Sequence, residues 1–573
     1  MIPKEELKKI YLSRPFKIRN ADEYDLNNIL DLFVDPTNGL IGPFDFTNSI
    51  IKGKMGSGKT MYLRANYAYY LYNLVLALMS DESIILPVYI KLSDFQHISD
   101  PQKIYNEIIV KIIKEIVGVC RHLESSDELA RLHMGASTLL GVWSTEQVFT
   151  STIEKLKTLT ATEYATKTLK SIHTQGSSTF KFFSMCMNRE KDFSEEFKYD
   201  TTPSFDDVIA TCKELVDAFN AKILLLLDEV GSTNKLFFKS TKNDTSYFEI
   251  LMNQLRTLPY IRTKIAVYPH SYSDILTETR YGEVISLECD VENNVIQYRS
   301  FMDRTSTLID RYIEKATSVK YGLENLFEVS SSNQQIIEQL INASSGNMRR
   351  LVHLLDMSMH ISFERCQGME RININDVLNA LKRQGEEMED KYINKDKNFL
   401  LSLVDLCKKR NTYKFILPYK SKIMNKYTNL SEEYNIIEIH QVGTGRRGNI
   451  YSFDYSYCVY KDIPTHYIKG SEKIDKTRSN INGETITRIA QLSDELLNQS
   501  KIRGKIDGTI NFLDPKQNNG LITGSDGKTY FLTRENIISG DKNKQIYANE
   551  KVLFISTQLK GSTLIANDIE LLD

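Results

Sequence analysis

Residues 53–60 read GKMGSGKT, in which Gly53 is followed by four residues and then by Gly58, Lys59 and Thr60. This is the spacing of a phosphate-binding loop. Small residues let the backbone wrap closely enough for successive N–H groups to point at phosphate oxygens. Lys54, Met55, Gly56 and Ser57 make the arch, and Met61 carries it into the following helix. In such a loop Lys59 supplies a point charge to the β- and γ-phosphates, and the Thr60 hydroxyl completes the shell of a Mg²⁺ ion. The cofactors this chemistry implies are ATP and magnesium.

A second stretch supplies acid. Residues 221–229 read AKILLLLDE, an apolar run that ends in two carboxylates. In open α/β sheets ligands bind at the carboxyl ends of strands. Asp228 is therefore placed to hold the metal, usually through water, and Glu229 to orient and deprotonate an attacking water. Acidic residues that simply end a strand are common. Their pairing with an upstream phosphate loop is what gives these two a chemical role.

Three further positions are candidates for contact with the γ-phosphate. Residues 264–268, KIAVY, form a strand that leads to Pro269, His270 and Ser271; His270 is the first candidate at its tip, with Ser271 and Tyr268 beside it. Arg280 precedes a short strand at 284–287 and is placed to reach a neighbouring subunit's nucleotide, with Arg256 and Arg262 as rivals. Such fingers contribute ~10³–10⁵ in rate. Arg349, in the run Gly346-Asn347-Met348-Arg349-Arg350, opens a helix to about Phe363 and is placed to fold back onto the phosphate. A plain solvated arginine is the alternative at both Arg280 and Arg349.

These side chains need rigid supports. Residues 48–51 suit a short buried strand, and 61–77 a long helix whose N-terminus adds its dipole beneath the phosphates. Residues 83–92, SIILPVYIKL, suit the interior of a parallel sheet. Helical spacing returns at 102–117 and 205–219. The expected fold class is α/β: a P-loop core with a parallel sheet over 1–290, carrying an inserted, mostly helical segment at about 120–200, then a helical lid over 291–392. Within the flank 1–45, Phe16 and Arg19 either touch an adenine or pack into the core.

A net charge of −2 over 573 residues gives no global attraction to nucleic acid, so any such contact needs a local patch. The seven cysteines are scattered without a Cys-x-x-Cys pair, which argues against a zinc site or a disulfide framework. The N-terminus MIPKEELKKIYLS has no signal-peptide core, and no apolar run approaches the ~18 residues of a membrane span. The expectation is a soluble cytoplasmic protein with no membrane contact.

The phosphate loop, the LLLLDE strand, the Arg280 loop and the GNMRR helix, in this order, resemble an AAA+ ATPase. GNMRR is similar to the origin-recognition and helicase-loader branch, and the resemblance covers roughly residues 40–390. It implies ATP hydrolysis in a homo-oligomer, with Arg349 as lid sensor, Arg280 as finger and the 264–270 strand as first sensor. Two departures stand out: the first-sensor position lacks the usual Asn, and the 120–200 insertion is longer than that branch normally carries. Bacterial relatives with unusual accessory domains resemble parts of anti-phage or mobile-element systems, in which a separate effector or partner protein would supply any cleavage.

Residues 393–470 suit a winged helix, with helices at 399–409 and 421–430 and a hairpin at 436–455. The hairpin tip carries Arg446 and Arg447, suited to a minor groove or to phosphates, or else to solvent or a protein. A linker and a helix at 484–500 fill residues 471–500. Residues 501–573 resemble a cold-shock barrel of the oligonucleotide-binding (OB) type. There Phe512 and Phe531 stand where bases of DNA or RNA would stack at ~1–3 kcal/mol each. Asn518, Asn519 and Leu521 replace an aromatic-rich run, so protein docking is equally open. The expected function is an ATP-hydrolysing switch. The alternatives are a DNA-binding replication initiator or helicase loader, and a non-hydrolysing scaffold stabilised by nucleotide.

Overall fold

The run Ile223–Leu227 has no polar face, which is what a strand buried on both sides requires. In the computed structural model it forms β3 (Lys222–Asp228). Ile223, Leu225 and Leu227 join one core with β2 (Ile85–Lys91) and the helix Pro101–Met134. Leu224 and Leu226 join another with the N-terminal arm and the lid. The structure describes residues 3–37, 42–79, 83–134, 221–233, 235–238, 246–268, 282–292, 294–328, 333–416, 435–442, 449–465, 489–492, 505–514, 518–537, 546–558 and 564–572, with isolated positions between.

The central sheet is parallel, in the order β2-β3-β4-β1-β5, with β1 at Ser49–Lys52, β4 at Ile261–Val267 and β5 at Glu283–Ser286. Because β4 lies between β1 and β3, the turns leaving these three strands share one rim. The helix Lys59–Met79 starts on that rim, close to the expected 61–77. The helix at Pro101–Met134 runs well past the expected 102–117. Most of the 120–200 insertion and the expected helix at 205–219 lie outside the described residues.

Lys264, in the middle of β4, is 1% exposed. Its ammonium donates to the Pro43 carbonyl and to Asn66 Oδ1, both at 2.7 Å, and so ties the loop before β1 to the phosphate-loop helix. The lid comprises the helices Val295–Thr317, Asn333–Ser344, Met348–Cys366 and Ile374–Asp390. Asn294, Asn347 and Asn373 cap three of them through their side chains. The N-terminal helix Lys4–Ser13 packs against the lid, where Tyr11 meets Ser362 at 2.9 Å. Phe16 is fully buried against Tyr312, which puts it in the core.

Beyond the lid a second sheet has the order β7-β8-β6-β9, with β6 at Lys414–Ile416, β7 at Ile437–Gln441, β8 at Ile450–Phe453 and β9 at Ala490–Gln491. Strand β9 corrects the expected helix over 484–500. Ala490 and Gln491 pair in parallel with β6, and Leu492 N–H donates to the Ile416 carbonyl. Burial of Ala490 and Leu492 in this sheet's core outweighs the local helical spacing. Most of the expected helix at 421–430 lies outside the described residues.

The last element is a closed barrel, β10-β11-β12-β14-β13, over Lys505–Asp514, Asn519–Gly524, Thr529–Thr533, Leu564–Leu571 and Lys551–Gln558. Ile510, Ile522, Tyr530 and Leu532 fill it, while Ile555 on β13 packs into the core of the preceding sheet. Among the described residues no helix is long and apolar enough to cross a membrane.

Burial holds the Lys264 ammonium down to about 8, against a weaker upward pull from Asp45. The unfolded lysine stays protonated to about 10.4, so between about pH 8 and 10.4 the unfolded chain binds the extra proton and stability rises with pH. Lys264→Met should abolish this lysine's share of the rise, on the order of 3 kcal/mol, in urea unfolding at pH 7.5 and pH 10. Parallel pH dependence of the variant and the unaltered chain would refute this.

Candidate functional site

The loop after β1 has the backbone its glycines allow. Gly56 and Gly58 have φ of 79° and 98°, in the left-handed region. Open space surrounds the point where a Cβ at Gly58 would stand, whereas one at Gly53 would run into the Ser57 side chain. Gly53 N–H is anchored on the Val267 carbonyl at 3.1 Å. The Ser57 hydroxyl is buried without a hydrogen-bond partner among the described residues. Lys59 is 6% exposed, and its ammonium donates to the Gly53 and Lys54 carbonyls at 2.7 and 2.8 Å. It also lies 4.0 Å from the Tyr268 ring. Burial lowers its pKa to about 8, while Asp228 pulls upward and Arg349 pushes further down. An open arch, an orphaned hydroxyl and a buried cation fit a bound polyphosphate.

The carboxylates face this loop across the tip of β4. Asp228 has no exposed surface. It accepts from Tyr89 Oη at 2.8 Å and from the Glu229 backbone N–H at 2.8 Å, and the Thr60 hydroxyl is near enough to favour its ionised form. Burial nonetheless raises its pKa. Thr60 and Asp228, distant in sequence, thus form the oxygen pair that would hold Mg²⁺. Glu229 is half-buried with a left-handed φ of 51°, and Lys91 stands 3.6 Å from its carboxylate. Lys91 also pairs with Asp22 at 2.7 Å.

The lid closes the other side. Gly346 has a φ of 76°, and a Cβ there would collide with the Cys289 carbonyl, so only glycine fits this turn. Asn347 Nδ2 then donates to the Met55 carbonyl at 2.7 Å, and Arg349 N–H to the Gly56 carbonyl at 3.1 Å. The lid helix is bonded directly to the phosphate loop. Met55–Met61, Glu229, Tyr268 and Arg349 share one cleft of ≈ 140 Å³. Ala21, Tyr24, Phe33, Leu308 and Tyr312 give it an apolar end suited to a base, and Arg19 lines it as well.

The expected residues Gly53–Met61, Asp228, Glu229 and Arg349 therefore converge. His270, Ser271, Arg280, Arg446 and Arg447 lie outside the described residues, and Tyr268 alone marks the tip of β4. Arg262 belongs to the first residues of β4, and Arg256 to the last turn of the helix before it. Both lie on the sheet edge opposite the phosphate loop. On the barrel, Phe512 is 55% exposed, and Phe512, Leu521 and Phe531 lie side by side across three strands.

The sequence reading missed Tyr89, Lys91 and Asn347. Lys91 was open to the argument used for Asp228, as a polar residue ending an apolar strand. Nothing local marks the other two. It missed as well the ties between lid and second sheet. Arg350, 2% exposed, makes a bidentate pair with Asp454 at 2.6 and 2.7 Å and reaches Ser456 at 3.3 Å. Glu292, just before the first lid helix, meets Lys414 at 3.0 Å, His440 at 3.2 Å and the Tyr413 hydroxyl. Burial alone would raise its pKa, but His440 and Lys414 hold it down to about 2.

Residues 14–98 match the ORC-CDC6-like family model, a stretch that holds the arm, the phosphate loop and β2. No curated protein matches the chain. Among solved structures, Cdc6p from Pyrobaculum aerophilum aligns at 14% identity and a TM-score of 0.28, over 78% of this chain and 95% of that one. The ORC2 protein of Aeropyrum pernix, in ADPNP–ADP complexes, aligns at 12% identity and a TM-score of 0.28, over 71% and 72%.

Arg350→Ala would leave Asp454 buried without its cation. The expected loss is roughly 3–5 kcal/mol, read from the midpoint of chemical unfolding, with partial recovery when Arg350→Leu and Asp454→Leu are combined. A loss under about 1 kcal/mol would put the pair in the range of ordinary surface ion pairs.

Proposed function

We propose that this chain, with its ORC-CDC6-like region at residues 14–98, is an ATP-hydrolysing switch of the AAA+ kind. One observation carries the reading. The buried Lys59, Thr60 and Glu229 line one cleft, Asp228 is buried close to Thr60, and the lid helix is hydrogen-bonded to the phosphate loop.

Each residue has a part that follows from its place. On binding, Lys59 exchanges the Gly53 and Lys54 carbonyls for β- and γ-phosphate oxygens. Thr60 and Asp228 would hold magnesium, which when bound would neutralise charge on the phosphate oxygens. Glu229 orients a water and takes its proton as the new P–O bond forms and the bond to the β–γ bridging oxygen breaks. Arg349 lies beside the loop and responds to the γ-phosphate. Its backbone already holds Gly56, so loss of phosphate is felt at the start of the lid helix. Arg280 from a neighbouring copy would complete the site in a homo-oligomer.

The switch delivers its state to the second sheet. Arg350, next to the sensing position, is fixed to Asp454, so the lid and the winged segment move together. The wing tip with Arg446 and Arg447 is then the proposed contact for DNA, and the barrel for a nucleic acid or a partner protein.

Lys59→Ala should abolish ATP binding, measured with a fluorescent ATP analogue. Glu229→Gln should keep binding and lose roughly 10²-fold or more of the turnover, measured as phosphate release. Equal turnover in the Glu229→Gln variant would count against hydrolysis and favour the scaffold alternative.

A further inference from the structure

Strand β2 runs beside β3 with Tyr89 opposite Leu226 and Lys91 opposite Asp228. Side chains in strands lean along the strand direction, and the Tyr89 ring reaches two residues forward, so that its hydroxyl donates to Asp228 Oδ2 at 2.8 Å. The other oxygen, Oδ1, accepts the Glu229 N–H at 2.8 Å, and the Thr60 hydroxyl is near enough to favour the ionised carboxylate. An ionised carboxylate has about four acceptor positions. One donor on each oxygen of a carboxylate without exposed surface limits which directions stay open.

The three polar groups around Asp228 differ in rigidity. Thr60's hydroxyl hydrogen rotates freely about its C–O bond and must turn toward a metal when one arrives. The Glu229 N–H belongs to a left-handed turn that carries the catalytic base. Tyr89 is a stiff ring on β2, at the edge of the described sheet, and packs against Tyr67, with ring centroids 6.1 Å apart. It is the donor that fixes the plane of the carboxylate while the other two adjust.

We infer that Tyr89 is the positioning residue for magnesium at this site, setting the tilt of Asp228 so that its open lone pair and the Thr60 hydroxyl point at one metal position. This rests on the nucleotide-site reading above. The metal ligands stay Thr60 and Asp228, and Tyr89 acts through Asp228 alone. Outer partners of this type typically change metal affinity 10–100-fold when lost.

The test is Tyr89→Phe, which keeps the ring and removes the donor, with Tyr67→Phe as a neighbouring hydroxyl deletion. A fluorescent ATP analogue is titrated onto the full chain in EDTA and then over a series of Mg²⁺ concentrations, each variant being normalised to its own binding in EDTA. Tyr89→Phe should bind as the unaltered chain does in EDTA but need roughly tenfold more Mg²⁺ to reach half of the metal-dependent gain. Tyr67→Phe should leave that midpoint in place. An unshifted Mg²⁺ midpoint in Tyr89→Phe overturns the inference while leaving the nucleotide site standing. So does an affinity loss of the same factor in EDTA and in Mg²⁺, which marks a merely structural ring. If the unaltered chain gains nothing from Mg²⁺, the nucleotide-site reading fails first and takes this inference with it.

Discussion

Taking a carboxylate wholly out of water costs several kcal/mol unless donors or a cation meet it. Asp228 is in that position, and its two donors come from the next residue and from a neighbouring strand. The requirement fixes more than one side chain. It calls for β2 to stand in register with β3. Lys59 faces the complementary problem as a buried ammonium, met by two carbonyls of its own loop. Those carbonyls hold the ammonium in the place where phosphate oxygens would take over from them. The same burial therefore shapes the fold and prepares the chemistry.

What the sequence disclosed was whatever could be read within one short window. GKMGSGKT and LLLLDE each carry their own geometry, because the glycines permit the arch and the leucines require a strand buried on both faces. The two ends of the strand are equally local, which is why Asp228 and Glu229 were found. Tyr89 was hidden, since an aromatic in an apolar strand reads as packing until its register with β3 is known. Asn347 was hidden as a donor to Met55, because that contact joins two loops far apart in the chain. Ala490 and Gln491 mislead for the same reason: their strand exists only because β6 offers an edge.

The connection between lid and second sheet is tighter than a linker would make it. Gly385 in the last lid helix allows a close approach, where a Cβ would stand 2.7 Å from the Ser456 carbonyl. Glu389 on the same helix accepts from Tyr457 at 2.9 Å and Lys461 at 2.8 Å. With Arg350 on Asp454 and Glu292 among Tyr413, Lys414 and His440, the second sheet is held both at the lid and at the hinge leading into it. Small rotations of a packed body around such a hinge are the ordinary way a change at a nucleotide is amplified.

Glu229 occupies a backbone conformation that an ordinary L-residue adopts at a cost of about 1–2 kcal/mol, and that glycine adopts for almost nothing. Glycine at this turn would relieve that cost but would leave the cleft without the Glu229 carboxylate. The protein is therefore slightly less stable than its own fold permits, at the point where a base can face the phosphate loop.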